Sequence, residues 1–434
     1  MVSVATVVAY REEILPVYVK DGRVLYINVN RGADNLGPGY IDKLDMGANT
    51  RTGVATISRY AAWHGVVDYV GGRVVRVGQF GDPLKAGVVV VDPSRDLVSM
   101  AYHPNTADIN EFVGVAYDRK NRRFIVGERQ YSDDAVKTGS SWPNGGGLWV
   151  IPYESLLDPT KWSRVYEFPN NPEVTSVVVF KDYVYVGLWR AGQFTKVSRA
   201  GIGSLASWVD VRSGLNPNVR PYVDAEDSLI AMGYGTGDGR FRVEWSFDGS
   251  TWDYVDVTPS STDSDMLMNV KVVGKYIVVG VGRQPSWRSD LFLVDTGTKS
   301  VYTVQTNLVG SVNNKPFFYD GSQNLYIGAV NYNTNEPSTI YRAVFDGRRV
   351  LTLSVSKTVV AGQTVDLVAT LTDGVNPVPN AVVEFYVVDS VGLYSAVGTL
   401  IGTATTDSTG KASVRYTVPS NAVGAVVFAA VYKG

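Results

Sequence analysis

Residues Ser176–Gly187 read SVVVFKDYVYVG. Two apolar runs rich in Val, Tyr and Phe flank the polar pair Lys181-Asp182, and the second run closes on a Val-Gly pair. β-branched and aromatic residues suit a pleated strand, and a short polar break between two such runs marks a hairpin. The pattern recurs along the chain. It appears as PVYVKDGRVLYIN (16–28), GVVDYVGGRVVRVG (65–78), GVAYDRKNRRFIVG (114–127), PYVDAEDSLIAMG (221–233), VKVVGKYIVVG (270–280) and PFFYDGSQNLYIG (316–328). The closing residues Asn28, Gly78, Gly127, Gly187, Gly233, Gly280 and Gly328 are separated by 50, 49, 60, 46, 47 and 48 positions.

Each copy is followed by a second apolar pair of runs, such as GVVVVDPSRDLVSMAY from Gly87, FRVEWSFDGSTWDYVDV from Phe241 and LFLVDTGTKSVYTV from Leu291. Four strands per unit at a nearly even period is the blade pattern of a β-propeller. Seven copies predict seven blades. The last blade takes TIYRAVFDG near Ile340 as its third strand. The N-terminal VSVATVVAY is expected to supply its fourth, which removes an open sheet edge.

After Gly347 the period stops. The remaining chain is a series of short alternating runs split by Gly, Pro, Asp and Asn, the pattern of a β-sandwich. The predicted fold is therefore all-β: a seven-bladed β-propeller over 1–348 and an immunoglobulin-like β-sandwich over 349–434.

The bulk numbers agree with a folded, strand-rich chain. Its 434 residues suit two or three domains, and 45% hydrophobic with 19% charged residues excludes a disordered one. The net charge of −2 provides no electrostatic footprint for nucleic acid or an anionic membrane. There is no cysteine, so disulfides, thiolate metal sites and thiol nucleophiles are excluded. No apolar stretch is long enough to span a bilayer as a helix. The N-terminus MVSVATVVAYREE lacks a basic start and a cleavage site, and reads as a strand.

Two segments resemble known families. SFDGSTW (246–252) is similar to the Asp box of sialidase-like propellers, Ser-x-Asp-x-Gly-x-x-Trp, one residue shorter than its usual form. Ser246, Asp248, Gly249 and Trp252 are the matching positions. The resemblance implies a propeller blade and carries no active site. The segment falls between third and fourth strands, where Asp and Gly do turn chemistry and Trp252 packs the hairpin. The tail segments AGQTVDLVATLTDGVNPVPNAVVEF (361–385), TTDSTGKASVRYT (405–417) and FAAVYKG (428–434) resemble the bacterial immunoglobulin-like repeats of invasin-type adhesins. Such domains serve as spacers or stalks in surface proteins, so the resemblance implies a spacer or attachment module.

No motif orders a catalytic set, and no catalytic residue, metal or cofactor is assigned. The two histidines, His64 and His103, fall between blades, where surface or packing roles outweigh catalysis. Asp263 and Asp265 lack the spacing of a calcium loop. The run PNGGG (143–147) does not sit between a strand and a helix, as a phosphate loop requires.

The connections between second and third strands share a face with the inter-blade loops and are long. The longest is read as Glu128–Gly147. The candidate ligand-binding residues on this face are Arg129, Tyr131, Trp142, Trp189, Arg190, Arg283, Trp287, Arg288 and Tyr332. Trp, Tyr and Arg dominate interface hot spots, and aromatic faces stack on sugar rings. The expected function is a non-enzymatic binding or structural protein of a virion or cell surface. Its partner is a glycan or protein receptor on the loop face, with self-assembly contacts through the tail. The lack of Cys and the small numbers of His, Met and Gln suggest a hot, archaeal source. A glycan-active hydrolase or lyase on the same face and an intracellular interaction scaffold remain as alternatives.

Overall fold

The computed structural model describes residues 2–6, 12–20, 24–31, 39–46, 48, 50–58, 61–62, 67–70, 73–80, 85–103, 109–131, 146–170, 172–190, 192–226, 228–236, 238, 240–259, 265–284, 288–309, 317–320, 324–329, 339–344, 350–354, 361–372, 377–391, 396–420 and 427–432. The chain divides into two compact units, Met1–Phe318 with Tyr326–Ala343 and Tyr319–Leu325 with Val344–Gly434.

Up to Val344 the described strands form seven antiparallel sheets, here lettered A to G in chain order. Sheet A holds Glu12–Lys20, Val24–Arg31, Gly39–Asp45 and Thr50–Ser58. Sheet B holds Ala61–Ala62, Val67–Val70, Arg73–Phe80, Lys85–Asp92 and Leu97–Tyr102. Sheet C holds Ile109–Asp118, Arg123–Tyr131, Gly147–Pro152 and Ser163–Glu167. Sheet D holds Glu173–Phe180, Tyr183–Arg190, Phe194–Gly201 and Trp208–Arg212. Sheet E holds Tyr222–Glu226, Leu229–Gly235, Phe241–Ser246 and Asp253–Val257. Sheet F holds Asp265–Val273, Tyr276–Gln284, Arg288–Asp295 and Ser300–Val309. Sheet G holds Phe317–Tyr319, Asn324–Ala329 and Thr339–Val344, and its fourth strand is Val2–Thr6, paired antiparallel with Thr339–Val344.

Side-chain alternation explains why the hairpins read as unbroken apolar runs. In sheet C, Phe124 and Val126 pack toward sheet B with Val75, Val77 and Val88. Ile125 between them packs the other way, with Val174, Val177 and Val186 of sheet D. Sheets D and E share Val178, Phe180, Tyr185, Ile230 and Met232. Sheets E and F share Trp245, Val243, Ile277 and Val279. Both faces of a middle sheet are thus covered, so both parities must be apolar. Each fully buried Val, Ile or Phe contributes about 1.5–3 kcal/mol. The first strands of sheets C, D, E and F lie beside one another in that order. Four-stranded sheets stacked face to face with first strands adjacent are the construction of a β-propeller.

The glycine that closes six of the seven hairpins has a steric cause where sheets C, D and E meet. A Cβ on Gly187 would stand 2.4 Å from Thr175 Oγ1 and 2.7 Å from the Pro221 carbonyl oxygen of the next sheet's approach. At Gly127 it would meet Val174 Cγ1 at 2.5 Å. The first strands carry bulges opposite these glycines, between Phe112 and Gly114 and between Val174 and Ser176.

The second unit contains two three-stranded antiparallel sheets. One is built from Val350–Ser354, Thr364–Thr372 and Lys411–Thr417, the other from Ala396–Thr405, Val382–Val391 and Val427–Tyr432. Leu367, Ala369 and Ala412 of the first pack on Val383 and Phe385 of the second. The intervening residues Asp366, Val382 and Ser413 face outward, which is the alternation of a half-buried sheet.

Candidate functional site

The connections between sheets and those between second and third strands emerge at the same strand ends. Register brings charged residues together there. Glu111 pairs with Arg129 in sheet C, and Glu173 pairs with Trp189 in sheet D. Arg220 stands just before the first strand of sheet E, which begins at Tyr222.

These side chains form one chain of contacts across three sheets. Arg129 Nε donates to Glu111 Oε2 at 2.6 Å, and its Nη1 donates to Glu173 Oε1 at 3.3 Å. Arg220 donates from Nη2 to Glu173 Oε2 at 3.1 Å. The Arg220 guanidinium lies 4.1 Å over the Trp189 ring, and Trp189 Nε1 donates to the Pro217 carbonyl at 2.8 Å. Glu111 is fully buried and Arg129 is 5% exposed. Such charges are tolerated inside a protein only when paired. Burial alone would raise the Glu173 carboxyl. The Arg220 and Arg129 guanidinium groups more than reverse this and hold it below the usual carboxylate range. Burial pushes the neighbouring Tyr222 hydroxyl up to about 12.

Alternation sends Glu128 to the opposite face of the same strand. It is fully buried, accepts from Trp149 Nε1 at 2.8 Å and pairs with Arg164 at 3.1 Å, both through Oε2. Its Oε1 has no hydrogen-bond partner among the described residues. Burial raises this carboxyl above its ordinary value against the pull of Arg164 and Trp149. His103 lies edge-on to Trp149, with ring centroids 4.6 Å apart. Burial, then the charge of Lys85, lowers its basicity. One strand therefore carries a carboxyl whose proton affinity is raised by burial and, on the next residue, a cation clamped between two carboxylates.

The sequence-predicted residues are distributed as follows. The structure carries the strand Arg123–Tyr131 through Glu128, Arg129 and Tyr131, which the sequence reading placed in a loop. The strand continues because Glu111 and Glu173 neutralise Arg129. Trp189 and Arg190 close the strand Tyr183–Arg190, and Arg190 Nη1 donates to the Asn170 carbonyl. Arg283 and Arg288 are register partners on the neighbouring strands Tyr276–Gln284 and Arg288–Asp295 of sheet F. Arg129 and Trp189 are linked through Glu173 and Arg220, whereas Arg283 and Arg288 belong to another sheet. Trp142, Trp287, Tyr332, His64 and Asp263 lie outside the described residues. Of the run 143–147 only Gly146 and Gly147 are described: Gly147 opens the strand Gly147–Pro152, and Gly146 N donates to the Pro172 carbonyl at 2.9 Å. Glu111, Glu128, Glu173 and Arg220 were not singled out from sequence. Their signal was a single charge inside or against an apolar run, as in NEFVGV and PEVTSVVV.

The Asp-box segment is a turn between Phe241–Ser246 and Asp253–Val257. Ser246 Oγ accepts from Gly249 N at 2.8 Å, and Asp248 Oδ1 accepts from Ser250 N and Thr251 N, both at 2.7 Å. Those two backbone donors, first, hold the Asp248 carboxyl far below its usual range. Gly249 adopts φ +79°. Its carbonyl accepts from Arg199 Nη1 at 2.6 Å and from Tyr185 Oη at 3.3 Å, tying the turn to sheet D. Trp252 packs edge-on to Tyr185. Among the described residues, no three His, Asp or Glu side chains form a cluster suited to a metal ion.

No protein-family model matches the chain, and no curated protein matches it. Solved structures do. Oligogalacturonate lyase in complex with manganese aligns with a TM-score of 0.52 at 10% identity, over 77% of this chain and 90% of that chain. The β-propeller domain of the Trilobed protease from Pyrococcus furiosus aligns with a TM-score of 0.46 at 9% identity, over 77% and 93%. The SapL1 lectin in complex with alpha methyl fucoside aligns with a TM-score of 0.43 at 14% identity, over 69% and 97%. At 10% identity the first of these is a likeness of fold.

Proposed function

We propose that the chain is a non-enzymatic binding or structural protein of a cell or virion surface. In this reading a seven-bladed propeller over 1–348, closed by the pairing of Val2–Thr6 with Thr339–Val344, displays a ligand-binding face. An immunoglobulin-like sandwich over 349–434 serves as spacer or attachment module. One observation carries the proposal: the contact chain Glu111–Arg129–Glu173–Arg220–Trp189, at the strand ends that bear the loops. Its carboxylates are paired with guanidinium groups and so suit accepting hydrogen bonds more than moving protons. An indole held by a guanidinium and a backbone carbonyl is a preset stacking surface for a sugar ring or a partner's side chain. Glycan is the first ligand class to test.

A glycan lyase or hydrolase is the second reading, and Glu128 is the observation in its favour. Burial raises the Glu128 carboxyl, as suits a general acid, and the Glu173 carboxyl of the next sheet is held low, though the two stand on opposite faces of the strand that carries Glu128 and Arg129.

The test is a glycan array with product analysis of every hit. Binding without cleavage, lost in Trp189→Ala while the thermal midpoint is kept, supports the binding protein. Cleavage abolished by Glu128→Gln moves the assignment to the enzyme. Silence on both turns attention to a protein partner.

A further inference from the structure

Sheet A holds a cavity of about 600 Å³ on its two outer strands. Tyr40, Asp42, Arg51, Gly53, Ala55 and Thr56 line it. Register explains its shape. Tyr40 pairs with Thr56 and Ile41 with Ala55, but Asp42 pairs with Gly53, so Val54 is an extra residue and the strand bulges. A bulge bends its strand and re-aims the side chains beside it.

Among the described lining residues, Asp42 and Arg51 carry the charges. Asp42 is 6% exposed, and its Oδ2 accepts from Arg51 Nε at 2.5 Å. Gly53, directly opposite, adds no side chain. A Cβ built on it would stand 3.7 Å from Asp42 Oδ1, so the glycine keeps the approach to that oxygen open. The cavity therefore presents a carboxylate oxygen beside a guanidinium, with apolar surface from Tyr40 and Ala55 around them.

We infer that this cavity is a second binding site, on a different sheet from the contact chain of sheets C, D and E, and that its ligand is a neutral pyranose. The carboxylate disfavours a phosphate or an acidic sugar, and the guanidinium disfavours an amine. A vicinal diol satisfies both: one hydroxyl donates to Asp42 and its neighbour accepts from Arg51. The ring's C–H face lies on Tyr40 and Ala55. The volume falls within the range of small-molecule sites.

The experiment is ligand-observed NMR and titration calorimetry of the full chain with glucose, galactose, mannose and fucose. Glucuronate and inorganic phosphate serve as charged probes. Asp42→Asn keeps the shape and removes the charge. Gly53→Val narrows the cavity at a position whose nearest contact is an ordinary one, and circular dichroism verifies its fold. At least one neutral pyranose binds. Asp42→Asn weakens it about tenfold or more, Gly53→Val abolishes it, and Trp189→Ala leaves it unchanged. The inference is overturned if no neutral pyranose binds, if a charged probe binds better, or if both cavity variants bind as the parent does. Loss in Trp189→Ala alone also overturns it and assigns the sugar to the contact chain around Trp189 instead.

Discussion

The Arg129 guanidinium reaches from sheet C to the Glu173 carboxylate of sheet D at 3.3 Å while holding Glu111 of its own hairpin at 2.6 Å. Removing this cation would take the guanidinium partner from the fully buried Glu111 and leave Glu173 with Arg220 alone. Arg129→Met is expected to cost about 3–5 kcal/mol in denaturant unfolding, far more than loss of an exposed pair. A cost within about 0.5 kcal/mol would show that water already screens the network.

Glu128 and Glu173 are expected to give opposite pH dependence. Both have an ordinary value of 4.5. The Glu173 carboxyl is lowered, so its contribution is complete above that value and is lost as pH falls below it. The Glu128 carboxyl is raised, so its contribution is complete below that value and is lost as pH rises through the raised one. In thermal unfolding from about pH 3 to about pH 8, Glu173→Gln should flatten the acid limb. Glu128→Gln should gain on the parent as pH rises.

Gly187 is a contact between sheets. Alanine there is expected to cost about 1–3 kcal/mol through overpacking against Thr175 and the Pro221 carbonyl. Alanine at Gly53, with its nearest contact at 3.7 Å, serves as the control and should stay within about 0.5 kcal/mol. Equilibrium unfolding of the two variants side by side measures the difference.

At Gly249 two effects add. Its φ of +79° strains any L side chain, by about 1–3 kcal/mol. A Cβ there would also stand 2.6 Å from Tyr185 Oη. Only the second effect is relieved by removing that hydroxyl. Gly249→Ala in a Tyr185→Phe background should therefore cost less than in the parent, and a double-mutant cycle reads the coupling.

The hairpins were legible because a strand run and its turn are local properties. Val, Tyr and Phe on either side of Lys181-Asp182 specify SVVVFKDYVYVG whatever lies around it, and seven such copies at even spacing imply stacked four-stranded sheets. The Asp-box turn was legible for the same reason, since Ser246, Asp248 and Gly249 bond one another. Sequence could not supply partners that arrive from elsewhere in the chain. Glu128 and Arg129 read as loop residues because charge in a strand is costly unless neutralised, and Arg129's partner Glu173 belongs to the next sheet. Gly187 read as punctuation until Pro221 was seen to press on it. The cavity at Asp42 depends on a register slip at Val54, and register is a property of two strands together. Local composition determined which segments became strands; only packing decided where charge could be buried and where space was left for a ligand.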